Sequence, residues 1–153
     1  LIWFFQKQGG HKAMANEPIL IVDDNPMNLK LGKRLLETEQ YQVLTARNAE
    51  ETLKLLEHFH PKLILMDFQL PGMDGLELTK KIRSNPERWE TVILMVTSYD
   101  QQGDEARAKA AGCDGYIQKP IDTQALPGII AGHLRKNTGG TGQTGTPKNQ
   151  SKP

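Results

Sequence analysis

Several things are scarce in this sequence, and each scarcity excludes a class of protein. The 153 residues contain one cysteine, Cys113, which rules out an internal disulfide and fits a reducing compartment. No apolar run approaches the roughly 20 residues that span a bilayer. Charge of one sign is not in excess: 19 Lys and Arg against 18 Asp and Glu leave a formal net charge of +1. A general nucleic-acid binder shows a basic surplus gathered on one face, so nucleic acid is not an expected partner. The first strongly apolar run, Ile19-Leu20-Ile21-Val22, is followed by Asp23-Asp24-Asn25-Pro26. A phosphate-binding nucleotide loop needs glycine at that point, and none is there. Leu1-Ile2-Trp3-Phe4-Phe5 is apolar but short, with no basic segment before it and no cleavage-site pattern after it. Residues 1–14 are read as a disordered leader, non-native or translated from upstream of a biological start at Met14, and the compartment as the cytoplasm; a short membrane-touching or partner-binding peptide is the rival reading of the leader.

What is present is a dense, periodic zone from Pro18 to Lys136 followed by a Gly/Thr-rich tail over 137–153. The tail has no apolar residue to bury, so ordering it would cost backbone entropy with no offsetting gain, and it is expected to be flexible. Inside the periodic zone, short apolar runs alternate with amphipathic stretches. Ile19-Leu20-Ile21-Val22, Leu63-Ile64-Leu65-Met66 and Val92-Ile93-Leu94-Met95-Val96 suit strands buried on both faces of a parallel sheet. Gln42-Val43-Leu44-Thr45 and Gly115-Tyr116-Ile117-Gln118 are weaker strands, placed by their position between helices.

The helices announce their starts. Asn25-Pro26 supplies a cap and a first-turn proline, with Leu31, Leu35 and Leu36 at helical spacing. Asn48 opens a second helix, which carries Leu53, Leu56 and Phe59 on one face and which Pro61 is expected to stop. Asp74-Gly75 opens a third helix and residues 102–111 form a fourth, ended by Gly112. Asp122 caps a fifth, with the regular helix delayed to Pro127. The fold class is therefore α/β: five βα units making a doubly wound, five-stranded parallel sheet. Ligands of such sheets bind beyond the carboxyl ends of the strands.

At those ends stand Asp23-Asp24, Asp67, Thr97-Ser98 and Lys119-Pro120. Three carboxylates brought within a few ångströms repel one another and raise one another's pKa values. A divalent cation removes that penalty, and oxygen ligands with open water positions suit Mg²⁺. The expected site has Mg²⁺ on Asp24 and Asp67, with Asp23 helping directly or through a water, and a free Asp67 oxygen as nucleophile toward phosphorus. Lys119 stands as a point charge for phosphoryl oxygens and the Thr97 hydroxyl as a hydrogen-bond donor, which is the positioning and charge neutralisation that phosphoryl transfer requires.

Four blocks in order carry a specific resemblance: Val22-Asp23-Asp24-Asn25, the run from Leu65 through Asp67 and Pro71-Gly72 to Gly75, Val96-Thr97-Ser98, and Tyr116-Ile117-Gln118-Lys119-Pro120. Together they resemble the receiver domain of bacterial response regulators, with its flavodoxin-like (βα)5 fold. The resemblance implies that Asp67 is the phosphoacceptor, that Asp23, Asp24, Asp67 and the Gln69 main-chain carbonyl bind Mg²⁺, and that Thr97, Lys119 and Tyr116 respond to the phosphoryl group. It implies a cis Lys119–Pro120 bond, which X–Pro tolerates at small cost. The partners it implies are a histidine kinase or histidine phosphotransfer protein, docking near Met27 to Leu31, and a downstream protein that reads the face around Tyr116, with the chain a monomer or weak dimer. Such a protein is a self-phosphorylating switch and not a turnover enzyme. Gln69 and Tyr99 occupy the positions that tune phosphoryl lifetime, and the bulk of Tyr99 implies slow self-hydrolysis.

Each feature has a plainer explanation. Asp23 and Asp24 could cap a helix, Pro71-Gly72 and Asp74-Gly75 are ordinary turn pairs, and Lys119-Pro120 could be a surface turn. It is their joint occurrence that outweighs these. His58 and His60 are two apart, which points helical rings away from each other, and are read as surface residues. Cys113 and Trp89 are read as packing residues. A haloacid-dehalogenase-type phosphatase would need an acid two residues after its nucleophile, and Asn25 or Pro26 stands there instead. No effector domain is expected in the tail, so the chain is read either as a stand-alone regulator or as a receiver module excised from a larger hybrid histidine kinase.

Overall fold

The computed structural model describes residues 16–98 and 103–138. The proposed leader, the tail from residue 139 and Tyr99 lie outside the described residues. Within them the strands are β1 (Pro18–Val22), β2 (Gln42–Ala46), β3 (Leu63–Asp67), β4 (Val92–Thr97) and β5 (Gly115–Gln118). The helices are α1 (Pro26–Thr38), α2 (Ala49–Leu56), α3 (Gly75–Arg83), α4 (Asp104–Ala111) and α5 (Leu126–Thr138), with a 3₁₀ turn at Pro86–Arg88. All strand pairs are parallel, in the order β2-β1-β3-β4-β5. This is the doubly wound sheet that the alternation of elements predicts, in the flavodoxin-like order that the resemblance implies.

The continuous apolar runs are explained by two cores, one on each face. Leu20, Val22, Ile64, Met66, Ile93 and Met95 point toward α2, α3 and α4, where Leu56, Leu76, Leu78 and Ile82 meet them. The alternate residues Ile19, Ile21, Leu63, Leu65, Leu94 and Val96 point toward α1 and α5, against Leu29, Leu36, Ile130 and Leu134. Side chains of a strand alternate between faces, so a central strand covered on both sides needs apolar residues at every position.

The chain order reverses direction between β1 and β3, which opens a crevice at their carboxyl ends. Local chemistry fixes the exits from these strands. Asn25 accepts a hydrogen bond from the Met27 amide and Pro26 begins α1. Asp74 accepts one from the Glu77 amide at the start of α3. Asn48 does the same for the Glu51 amide at α2, and the Glu51 carboxylate returns to the Arg47 amide.

Two expected boundaries move. Helix α2 ends at Leu56, well before Pro61. Glu57 and His58 amides bond back only three residues, to Lys54 and Leu55, and the buried Arg88 donates to the Leu56 and Phe59 carbonyls. A guanidinium on these orphaned carbonyls ends the helix favourably. At the other end of the chain α5 continues to Thr138, two residues beyond Lys136. Asp122 caps the preceding turn through the Gln124 and Ala125 amides, and the regular helix starts at Leu126. Cys113 is buried, as expected of a packing residue. Trp89 is not: its ring is 66% exposed, held by a hydrogen bond of 2.9 Å from its Nε1 to the Arg83 carbonyl.

Gly75 marks the tightest approach between a helix and the crevice. Its amide donates to the Phe68 carbonyl at 2.9 Å, and a Cβ built there would run into the Asp67 carbonyl group and the Phe68 Cα. Both obstacles are main chain and cannot swing away. Gly75→Ala is therefore expected to destabilise the protein by about 1–3 kcal/mol, the usual cost of overpacking. Urea unfolding midpoints read this, and an unchanged midpoint would contradict the close approach.

Candidate functional site

Asp67 is the last residue of β3 and is buried. It faces the end of β1, where Asp23 follows Val22, which lies in register with Met66. Asp23 is also buried, while its neighbour Asp24 is exposed. Carboxylate oxygens of Asp23, Asp24 and Asp67 all lie within 4.8 Å of one another.

The chain fixes two of these acids by short local bonds. The Gln69 amide donates to Asp67 Oδ1 at 3.1 Å. The Asn25 amide donates to Asp23 Oδ1 at 2.9 Å, and Asn28 Nδ2 to Asp23 Oδ2 at 3.0 Å. From the far side Lys119, half-buried just after β5, places Nζ 3.1 Å from Asp67 Oδ2 and 3.6 Å from Asp23 Oδ2. The Lys119 amide in turn donates to the Thr97 carbonyl at 2.7 Å, and the Lys119–Pro120 bond is cis. One ammonium thus serves two buried carboxylates, with a third acid at the rim.

Burial pushes the Asp67 carboxyl above its ordinary value of 3.8, and the Asp23 charge adds to the rise. The Gln69 amide and the Lys119 ammonium pull the other way without cancelling it. The three carboxylates supply hard oxygen donors, outnumber the single cation beside them, and are open to water on the Asp24 side. Such a group is able to hold a divalent cation.

Thr97 ends β4 almost completely buried, one step beyond Val96, which pairs with Asp67. Tyr116 lies in β5 opposite Met95, half-buried against the core beneath α2, α3 and α4. The structure therefore gathers Asp23, Asp24, Asp67 and Lys119 into one cluster and brings the Gln69 amide onto Asp67. Thr97 and Tyr116 stand on the neighbouring strand ends. Asn28 was missed by the sequence reading: its signal was a polar residue one turn into α1, on the side that faces Asp23. On Cys113, burial pushes the thiol up to about 11, which leaves it unreactive at neutral pH and agrees with a packing role.

Residues 19–131 match the family model for the response regulator receiver domain. The chain belongs to this family. The receiver domain is similar to the polar-differentiation response regulator DivK of Brucella ovis, with 39% identity over 116 residues, covering 76% of this chain and 94% of DivK. Its fold resembles that of a CheY-like response regulator receiver domain protein from Methanospirillum hungatei JF-1, with a TM-score of 0.76 and 34% identity over 82% of this chain and 98% of that one. It also resembles the receiver domain of a signal transduction histidine kinase from Syntrophus aciditrophicus, with a TM-score of 0.70 and 29% identity over 84% and 94% of the two chains. A receiver domain is a signalling switch of two-component systems, and members of the family typically use Mg²⁺. Among the described residues, no helix is long and apolar enough to cross a membrane.

The raised pKa of Asp67 has a consequence for stability. A carboxyl that holds its proton more tightly when folded stabilises the fold at low pH, and this contribution is lost as pH rises from 3.8 through the raised value. In metal-free buffer with chelator, the melting temperature of Asp67→Asn should exceed that of wild type, and the gap should widen as pH increases over that window. Thermal melts across the acid range test this; a gap that narrows with rising pH would contradict the assigned burial penalty.

Proposed function

We propose that this receiver domain takes a phosphoryl group on Asp67 from a phosphohistidine of a histidine kinase or histidine phosphotransfer protein. The observation that carries the reading is a buried carboxylate, Asp67, bonded to Lys119 at 3.1 Å within an acidic trio. A carboxylate oxygen of Asp67 attacks phosphorus, the bond from phosphorus to the donor nitrogen breaks, and the donor imidazole keeps the electron pair. Lys119 neutralises phosphoryl oxygens and the Thr97 hydroxyl donates to another, both groups acting where charge collects. Asp23, Asp24, Asp67 and the Gln69 carbonyl would hold Mg²⁺, which neutralises charge between carboxylates and phosphoryl group when bound. Asn28 keeps Asp23 aimed at the site through its 3.0 Å bond.

Movement of Thr97 toward the phosphoryl group alters the face formed by α4, β5 and α5, with Tyr116 as the reporter, and a downstream protein reads that face. The exposed Met27 and Leu31 of α1 form the donor's docking patch. The domain acts in the cytoplasm as a monomer or weak dimer, through protein contacts and not on nucleic acid. Being modified once per signal, it is a switch and not a turnover enzyme. A second reading, a receiver module of a hybrid histidine kinase, is supported by the likeness to the kinase receiver of Syntrophus aciditrophicus.

Incubation with acetyl phosphate and Mg²⁺ should add the mass of one phosphoryl group to wild type and none to Asp67→Asn, with chelator abolishing the gain. Intact-protein mass spectrometry measures it. Equal labelling of Asp67→Asn would place the phosphoacceptor elsewhere and sink the proposal.

A further inference from the structure

The sheet face that carries α1 and α5 is not closed at the top. A cavity of about 500 Å³ runs down between the two helices, within the roughly 300–1,000 Å³ typical of small-molecule sites. Ile21, Leu65 and Val96 line it from the strands, and Leu35, Ile121 and Leu126 from the opposite side. Gly32 of α1 contributes no side chain to fill the gap. The charged groups of the lining, Asp23, Asp67 and Lys119, gather where β1 and β3 end, so the acids are reached from below through apolar walls.

That charged end is short of cations. Lys119 Nζ stands 3.1 Å from Asp67 Oδ2 and 3.6 Å from Asp23 Oδ2, and the Asp24 carboxylate lies within 4.8 Å of both acids. Three ionised carboxylates against one ammonium repel an anionic ligand and attract a cationic one. A hydrated metal ion approaches from the open Asp24 side, because stripping its water to pass apolar walls is costly. An organic cation with an apolar body gains from those same walls. From Asp23 to Ile21 and from Asp67 to Leu65 the lining descends two strand residues, about 7 Å, a depth that a hexyl chain spans.

We propose that the cavity binds an organic ammonium ion with an unbranched apolar chain, its head against Asp23 and Asp67 and its chain between α1 and α5. The site needs only the charge of these acids, whether or not Asp67 takes a phosphoryl group. A divalent cation held at the rim neutralises the same carboxylates. The two cations therefore oppose each other, and each weakens the other's binding by the same factor.

Isothermal titration calorimetry on the full chain at neutral pH, first in chelator, compares hexylammonium, ethylammonium, hexanoate and hexan-1-ol. Hexylammonium should bind one per chain, and each methylene beyond ethylammonium should tighten binding by up to about fourfold. With Mg²⁺ replacing the chelator, hexylammonium should bind more weakly, and saturating hexylammonium should weaken Mg²⁺ equally. Two variants locate the site. Gly32→Leu puts a side chain into the cavity, where only the movable end of Ile21 stands close to the new Cβ, at 3.0 Å. It should cost about tenfold in hexylammonium affinity, the loss of two buried methylenes. Thr123→Lys adds positive charge at an exposed position of the lining and leaves the core alone. It should cost roughly two- to threefold, as like charges several ångströms apart do in water. No binding of hexylammonium, or equal affinity in wild type and both variants, overturns the cavity assignment. Hexanoate or hexan-1-ol binding as tightly as hexylammonium overturns the cationic class, and independent binding of the two cations overturns the shared acids.

Discussion

Like-charge crowding at the top of β1 and β3 is the constraint on which the rest of this structure depends. Two buried carboxylates share one ammonium with a third acid at the rim, an arrangement that in isolation favours protonation or dispersal. It persists because each of the two buried acids is tied by short local bonds. The Gln69 amide holds Asp67, and the Asn25 amide with Asn28 holds Asp23. These segments are in turn held by a sheet whose central strands are buried on both sides. The apolar runs of β1, β3 and β4 thus serve the site directly, because a rigid sheet keeps repelling charges at a fixed separation. A cation arriving there would meet carboxylates already in position.

Gly75 and the Phe68 carbonyl extend the same logic to α3. The helix begins hard against the Asp67 main chain, so the loop that carries Gln69 has little room to relax. On the other side Lys119 is fixed through its amide to Thr97, which links β4 to the ammonium that faces Asp67. A change in charge at Asp67 therefore acts directly on the Lys119 ammonium, 3.1 Å away. The cavity between α1 and α5 is where this close packing gives way, and it does so beside Asp67.

The architecture and the acidic cluster were legible in the sequence because both rest on local rules. Doubly buried strands read as unbroken apolar runs, caps such as Asn25-Pro26 and Asp74 mark helix starts, and parallel topology sends every strand's last residue to one end. The remaining features depend on contacts distant in sequence. Helix α2 stops at Leu56 because Arg88, far along the chain, takes its last carbonyls. Trp89 is a nearer case: its indole N–H bonds the Arg83 carbonyl six residues back and the residue stays exposed, which an apolar side chain does not announce. Asn28 and the cavity emerge only once α1 is laid against β1 and α5. The expected movement of Thr97 and the turning of Tyr116 rest on family resemblance and not on residue pattern.

The most direct test of the crowded-carboxylate account is the melting temperature measured with and without Mg²⁺, in wild type and in the Asp23→Asn, Asp24→Asn double variant. Ligand linkage gives wild type about 1.4 kcal/mol of added stability at ten times the dissociation constant. The expected result is a clear upward shift in wild type and almost none in the double variant, whose metal-free form melts higher than metal-free wild type. A shift of equal size in both proteins, or none in wild type at saturating Mg²⁺, would contradict a site built on charge repulsion that a cation relieves.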